Sequence, residues 1–284
     1  MSLCHLLLVF FLIEINRAYP TVGNVTSGCF VHPTLAKSND DLINGRIIGG
    51  KEAEPHAYPY QVGLYCHGAT DTHFCGGSFV SPNYVLTAAH CVEGKLSVDL
   101  IFGAHAIEES ENSQIKQTST EFIIHSGWDE GDLINDIALV KLRAPVPETN
   151  YIKMIKITAD GGNTFAGDHG TMTGWGLRTM SQHGLTSTLL YAVNDILSNE
   201  QCKSVNANYD RVVQSTHLCL SGVTSGNVNV GTCNGDSGGP LTVNGVQVGL
   251  VSFGNTDCEA GKPSVFTRLT EYKDWIRENS DVVI

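Results

Sequence analysis

Gly235-Asp236-Ser237-Gly238-Gly239-Pro240 sets a serine between glycines in a chain otherwise built of short apolar runs. A serine hydroxyl is a poor nucleophile at neutral pH unless an imidazole takes its proton and an acceptor fixes that imidazole's tautomer. A serine flanked by glycines can occupy a tight turn whose backbone N–H groups face a developing oxyanion. Two further segments supply the missing groups. Leu86-Thr87-Ala88-Ala89-His90-Cys91 carries an imidazole, and Asn135-Asp136-Ile137-Ala138-Leu139 carries a carboxylate ahead of an apolar run. Alone, a buried His or an Asp before a strand is usually structural, so the three segments gain meaning only together.

Gly235-Asp236-Ser237-Gly238-Gly239 also satisfies the G-x-S-x-G pattern of α/β-hydrolases, and chain order tests that reading. Those enzymes place the acid and then the His after the serine. Here the last histidine is His217, so no His follows Ser237 and the reading fails. The observed order is His90, Asp136, Ser237.

Around these segments the chain reads as β structure. Val/Ile/Leu-rich runs at 60–65, 84–88, 137–142 and 247–253 alternate with Gly, Asn, Asp and Ser turns, which suggests a sandwich or barrel. Val243-Asn244-Gly245-Val246 is an Asn-Gly hairpin signal. The one clear helix is C-terminal, where Tyr272, Trp275 and Ile276 share a face. The 284 residues are 42% apolar and 16% charged, which excludes disordered, collagenous and coiled-coil classes. A net charge of −12 argues against nucleic acid or anionic lipid as partner. No apolar run approaches the roughly 18 residues that span a bilayer.

Residues 6–13 form an uninterrupted apolar run closed by the small residue Ala18, so residues 1–18 read as a secretory signal peptide and the protein as secreted. Asn24-Val25-Thr26 is a glycosylation sequon, meaningful only in a secreted chain. Of nine cysteines, removal of Cys4 with the signal leaves an even number, without zinc spacing, and disulfides are the economical reading.

From residue 47 to the C-terminus the sequence resembles the chymotrypsin-fold serine peptidases. The resemblance is carried by Ile47-Ile48-Gly49-Gly50, Cys75-Gly76-Gly77-Ser78, Ala88-Ala89-His90-Cys91, Asp136-Ile137-Ala138-Leu139, Gly174-Trp175-Gly176, residues 235–240 and Pro263-Ser264-Val265-Phe266-Thr267-Arg268. Within that family, Gly231-Thr232-Cys233-Asn234-Gly235 and Cys258-Glu259-Ala260-Gly261 are most similar to arthropod brachyurin-type chymotrypsins and collagenases. The resemblance implies an all-β fold of two six-stranded antiparallel barrels with a C-terminal helix, split near residue 157, with the active site between them. Ser237 would be the nucleophile, His90 the general base and then acid, and Asp136 its orienting partner. The N–H groups of Gly235 and Ser237 would form the oxyanion hole.

The same resemblance makes residues 19–46 an activation propeptide and 47–284 the peptidase domain. A trypsin-like protease would cut after Arg46, and the freed Ile47 ammonium would pair with Asp236. Disulfides map onto Cys75–Cys91, Cys202–Cys219 and Cys233–Cys258. Cys29 and Cys66 remain, either paired so as to tether the propeptide or left as a free or intermolecular thiol. Gly231 aligns with the base of the primary specificity pocket, and Gly254 and Ser264 with its walls. An open pocket without a carboxylate favours a large apolar or aromatic residue before the scissile bond. Ser252 and Phe253 lie on the segment that pairs with substrate backbone. Crab brachyurins place an acid where Ser264 stands, and this departure weakens any expectation of cleavage after basic residues. Asp257 and Glu259 near the pocket mouth could retain a little of it. Ala104 stands where calcium-binding relatives supply a carboxylate, and Glu108, Glu109 and Glu111 read as solvated acids, so no metal or other cofactor is expected. The expected partners are protein or peptide substrates, the activating protease and protein inhibitors, with the enzyme itself a monomer. The competing reading is a venom, salivary or immune-cascade protein of the same fold that acts mainly by binding or limited proteolysis.

Overall fold

A computed structural model describes residues 47–177, 179–181 and 184–284. A two-residue strand, β1 (Lys51–Glu52), precedes seven strands of one antiparallel sheet. These are β2 (Gln61–His67), β3 (Thr72–Ser81), β4 (Tyr84–Thr87), β5 (Ser97–Phe102), β6 (Ile115–Ser119), β7 (Glu121–Ile124) and β8 (Ala138–Lys141). Their order is β6-β5-β2-β3-β4-β8-β7. Only Thr120 separates β6 from β7, so one bent strand supplies both edges and the sheet closes into a barrel of six. The two-residue period of a strand turns Val62, Leu64 and Cys66 of β2 inward, where they meet Phe79, Val98, Leu100 and Val140.

The second sheet contains β9 (His169–Gly174), β10 (Leu190–Leu197), β11 (His217–Leu220), β12 (Pro240–Val243), β13 (Val246–Phe253) and β14 (Ser264–Arg268). It closes through pairing of β9 with β10, and β1 adds to the outside of β10. Its interior is filled by Met172, Leu190, Leu218, Leu241, Val251 and Phe266. The β12–β13 hairpin turns on Asn244 and Gly245, both at positive φ (50° and 77°), as a mirror-image two-residue turn requires.

Among the described residues four short α-helices are present rather than the one the apolar periodicity announces: α1 (Ala89–Val92), α2 (Asn199–Lys203), α3 (Ala207–Val212) and α4 (Lys273–Asn279). The first three span four to six residues, too few to display a helical period. Ser198 and Gln201 of α2 form a capping box, a signal legible as S-x-x-Q. Tyr272 and Ile276 of the C-terminal segment pack with Leu86, Ile137 and Leu139 of the first barrel and Leu250 of the second, gluing the barrels together.

Candidate active site

His90 and Asp136 come from the first barrel. β4 runs straight into α1, which buries His90, and Asp136 lies two residues before β8 with no exposed surface. Nδ1 of His90 donates to Asp136 Oδ2 at 2.8 Å, and the His90 backbone N–H donates to Oδ1 at 3.0 Å. The carboxylate thus fixes both the ring and its peptide. Two hydroxyls from the second barrel complete its seat: Ser252 Oγ donates to Oδ2 and Thr267 Oγ1 to the Asp136 carbonyl. Burial alone would lower the His90 pKa, but the Asp136 charge and hydrogen bond outweigh it and the net direction is up. For Asp136, burial pushes up while His90, Ser252 and the His90 N–H push down, and the net direction is down.

Ser237 comes from the second barrel and is 3% exposed. Its carbonyl accepts from Gly76 N–H of β3 at 2.7 Å, and Gly238 N–H donates to Val251 of β13 at 2.8 Å, so the turn is tied to both barrels. Gly238 has φ +75°, and a Cβ there would lie 2.2 Å from Thr87 Oγ1, three residues before His90. Only glycine permits that approach, which ties the turn of Ser237 to the segment that leads into His90. The N–H groups of Gly235 and Ser237 donate to no protein acceptor among the described residues, leaving two buried donors on one turn.

Asp236 is 1% exposed and accepts from Gly176 N–H (2.9 Å) and Cys233 N–H (3.0 Å). Burial raises its pKa to about 6, with those two bonds opposing. Any side chain at Gly174 or Gly176 would collide with this carboxylate, which accounts for the glycines around Trp175. Ile47 is buried in the second barrel beside Met172 and Val230, and Ile48 accepts at its carbonyl from Gly231 N–H.

A Cβ at Gly231 would meet Ser264 Oγ at 3.4 Å and the Cys258 carbonyl at 3.8 Å, and one at Gly254 only Thr232 Oγ1 at 4.0 Å, with Cys258 bonded to Cys233. Within 4 Å of a Cβ at Gly231 stand only Ser264 Oγ and the Cys258 carbonyl, so no carboxylate faces it. Asp257 is exposed and holds the Glu259 N–H in a local turn. Ser252 points its hydroxyl to Asp136, while Phe253 stacks edge-on against His217 at 5.5 Å. Sequence reasoning missed Thr232, whose N–H and hydroxyl both reach Ser264, and the acid-facing roles of Ser252 and Thr267.

The three family disulfides form, Cys75–Cys91, Cys202–Cys219 and Cys233–Cys258. Cys66 joins no described cysteine; its sulfur lies inside the first barrel, where burial pushes the thiol up to about 12. Pairing with anything outside the barrel requires opening it. Cys29, Arg46, the Asn24 sequon and the whole of residues 1–46 lie outside the described residues.

Glu111 is not a merely solvated acid. Its Oε2 accepts from His105 N–H (2.7 Å), Ala106 N–H (3.2 Å) and Gln114 Nε2 (3.2 Å). The same Gln114 nitrogen also reaches the Ala106 and Glu109 carbonyls at 3.3 and 3.1 Å. An amide nitrogen at the convergence of three oxygens, with Ala104 offering no fourth, does not fit a calcium ion. Gln114→Ala should therefore lower Tm by about 2–8 °C, the loss of one or two net hydrogen bonds, and calcium chloride should not shift the unsubstituted protein against EGTA. A calcium-dependent rise in Tm would contradict this. Elsewhere, Cys66, His73 and Cys75 gather within 4.8 Å of one another, as do Cys75, His90 and Cys91, but the Cys75 and Cys91 sulfurs are spent in one disulfide.

The family model described as Trypsin matches residues 47–276. Brachyurin of Leptuca pugilator is 40% identical over 238 residues, 83% of this chain and 99% of that protein. Chymotrypsin of Phaedon cochleariae is 37% identical over 237 residues, 83% of this chain and 82% of that one. The solved structure of HL collagenase superposes with a TM-score of 0.72 at 31% identity, covering 84% of this chain and 100% of its own. With an acid-oriented histidine, a serine on a glycine turn and this kinship, the chain belongs to the trypsin family of serine peptidases.

Proposed function

We propose that this serine endopeptidase is secreted as a zymogen, is activated by cleavage after Arg46, and cleaves after large apolar or aromatic residues. Ser237 attacks the scissile carbonyl while His90 takes its proton through Nε2, the nitrogen not engaged by Asp136. The tetrahedral oxyanion is received by the two unspent N–H groups of Gly235 and Ser237. His90 then protonates the leaving amine, and water enters by the reverse path to release the acyl group from Ser237.

The observation that carries the specificity is the space at Gly231, which has no carboxylate within contact of its floor. An aromatic ring buried there gains about 2–3 kcal/mol, while an arginine would be desolvated without a counter-charge. Initial rates on matched p-nitroanilide peptides ending in Phe or Arg, before and after trypsin treatment, test the reading. Activity should appear only after cleavage and favour Phe by about 30–150-fold in kcat/KM, the same energy expressed as a ratio. Preference for Arg would mean that Asp257 or Glu259 reaches the pocket. Silence on both, with Ile47 confirmed as the new terminus, would favour a protein of this fold that works by binding or on a narrow target.

A further inference from the structure

Leu133 and Asn135 both hold positive φ, 54° and 56°, in the three residues that lead into Asp136. Asparagine tolerates the left-handed region, but a leucine there crowds its Cβ against the following carbonyl and stays only where neighbours hold it. Asn135 is held by its own side chain: Nδ2 donates to the Gly127 carbonyl at 2.6 Å, and Oδ1 accepts from the Tyr272 hydroxyl at 3.0 Å. Leu133 is held from the second barrel, where Nε2 of His217 donates to its carbonyl at 3.0 Å. That ring is 1% exposed, and its Nδ1 accepts from Gln214 N–H at 3.0 Å, so the proton of the neutral imidazole sits on Nε2. Burial, with the Arg268 charge, lowers the His217 pKa against the Leu133 bond and the Asp136 charge, so the ring is neutral at pH 7. His217 opens β11 directly opposite Thr267 of β14, whose hydroxyl reaches the Asp136 carbonyl at 2.8 Å. One cross-strand pair thus grips both ends of the 133–136 turn.

We infer that His217 is a positioning residue for the reaction: it pins the strained turn at Leu133 and thereby sets where Asp136 meets His90. With the bond gone, Leu133 is free to leave the left-handed region, and the segment that ends in Asp136 shifts with it. Thr267 and Ser252 still grip Asp136, so the His90–Asp136 pair is loosened rather than lost. His217 is neutral at pH 7, so replacing it takes no charge from the site. A moved His90 titration must then come through the geometry of Asp136, since Glu93, the other acid that raises it, is untouched. The inference rests on the proposed roles of Asp136 and His90 as orienting acid and general base.

His217→Met and His217→Gln decide it, each activated and active-site-titrated, read on one Phe p-nitroanilide as kcat, KM and the acid limb of kcat/KM. Methionine fills the space without a donor, whereas the glutamine amide can still donate to Leu133. His217→Met should lose about 10–100-fold in kcat, within the cost of a misplacement of about 1 Å. Its acid limb should move to lower pH, and His217→Gln should recover most of both. In a Leu133→Asn background, where positive φ costs little, the His217→Met loss should shrink. Should His217→Met fail to fold, nitrogen chemical shifts of the unsubstituted enzyme still decide. A proton on Nε2 of His217 supports the pinning bond, and one on Nδ1 overturns it. A His217→Met enzyme with lower Tm but unchanged kcat and acid limb overturns the inference and leaves the triad standing. So does a loss wholly in KM, a His217→Gln enzyme no better than His217→Met, or a loss undiminished beside Leu133→Asn. An activated enzyme indifferent to Ser237→Ala overturns the parent reading instead.

Discussion

Ser237→Ala is expected to lose about 10⁵–10⁶-fold in kcat, and Asp136→Asn about 10⁴-fold, amounts carried over from related triads. The reason for the first lies in how the turn is held. Its shape depends on the Gly76–Ser237, Gly238–Val251 and Gly239–Asp236 backbone bonds, none of which involves the serine hydroxyl. Ser237→Ala therefore removes a nucleophile and leaves its scaffold, and Tm should stay within a few degrees. Asp136→Asn acts differently, because both carboxylate oxygens are in use: Oδ1 by the His90 N–H, Oδ2 by the ring and by Ser252. An amide can accept at only one of those positions, so the ring's tautomer is no longer enforced. The pH profile separates the two effects. Free-enzyme kcat/KM falls as His90 becomes protonated, so its acid limb tracks a pKa held above 6.5 by Asp136 against burial. With the Asp136 charge removed, burial is opposed only by the Glu93 charge, and the limb in Asp136→Asn should move to lower pH. Activity of Ser237→Ala within 100-fold of the unsubstituted enzyme would sink the assignment of the nucleophile.

What the sequence makes legible here is whatever short-range backbone chemistry controls. Gly235 and Gly238 both have positive φ, and Asn244-Gly245 turns the hairpin that its neighbours announce. Such demands are written next to one another along the chain. Alternation would also have placed Cys66 inward with Val62 and Leu64, a stronger signal than the even cysteine count that suggests a partner for it. Closure of the first barrel is less visible, because a single residue, Thr120, divides one bent strand into two edges. The hydroxyls around the site are the hardest to foresee. Ser252 and Thr267 reach Asp136 from 116 and 131 residues away, and Thr232 meets Ser264 from 32 residues away. A single Ser or Thr has no period and no spacing by which to announce such a bond; only the folded barrels choose its partner.

Arg46→Gln is expected to leave the chain inert after trypsin treatment, at least about 100-fold below the cleaved enzyme in kcat/KM. Asp236 is buried with two peptide N–H donors for its charge among the described residues, at a pKa of about 6 against an ordinary 3.8. A raised folded pKa means that the stability this group contributes is full below pH 4 and is lost as pH rises through 6. At neutral pH the ionised carboxylate therefore disfavours this arrangement by on the order of 3 kcal/mol, about 150-fold in population. A buried Ile47 ammonium would supply the missing counter-charge, and it exists only after the 46–47 bond is cut. Asp236 lies between Gly235 and Ser237, so its seat governs the aim of both N–H groups offered to the oxyanion. Two consequences separate this from a simple loss of cleavage. Asp236→Asn should be cut at Arg46 normally, by N-terminal sequencing, yet stay as inactive as Arg46→Gln, because an amide cannot pair with the ammonium. The intact chain should also melt higher at pH 4.5 than at pH 7 relative to the cleaved one, in which the pair lowers the Asp236 pKa and shifts that dependence to more acid pH. An intact chain as active as the cleaved one would reduce Arg46-Ile47 to an ordinary exposed linker and leave the burial of Asp236 without a purpose in activation.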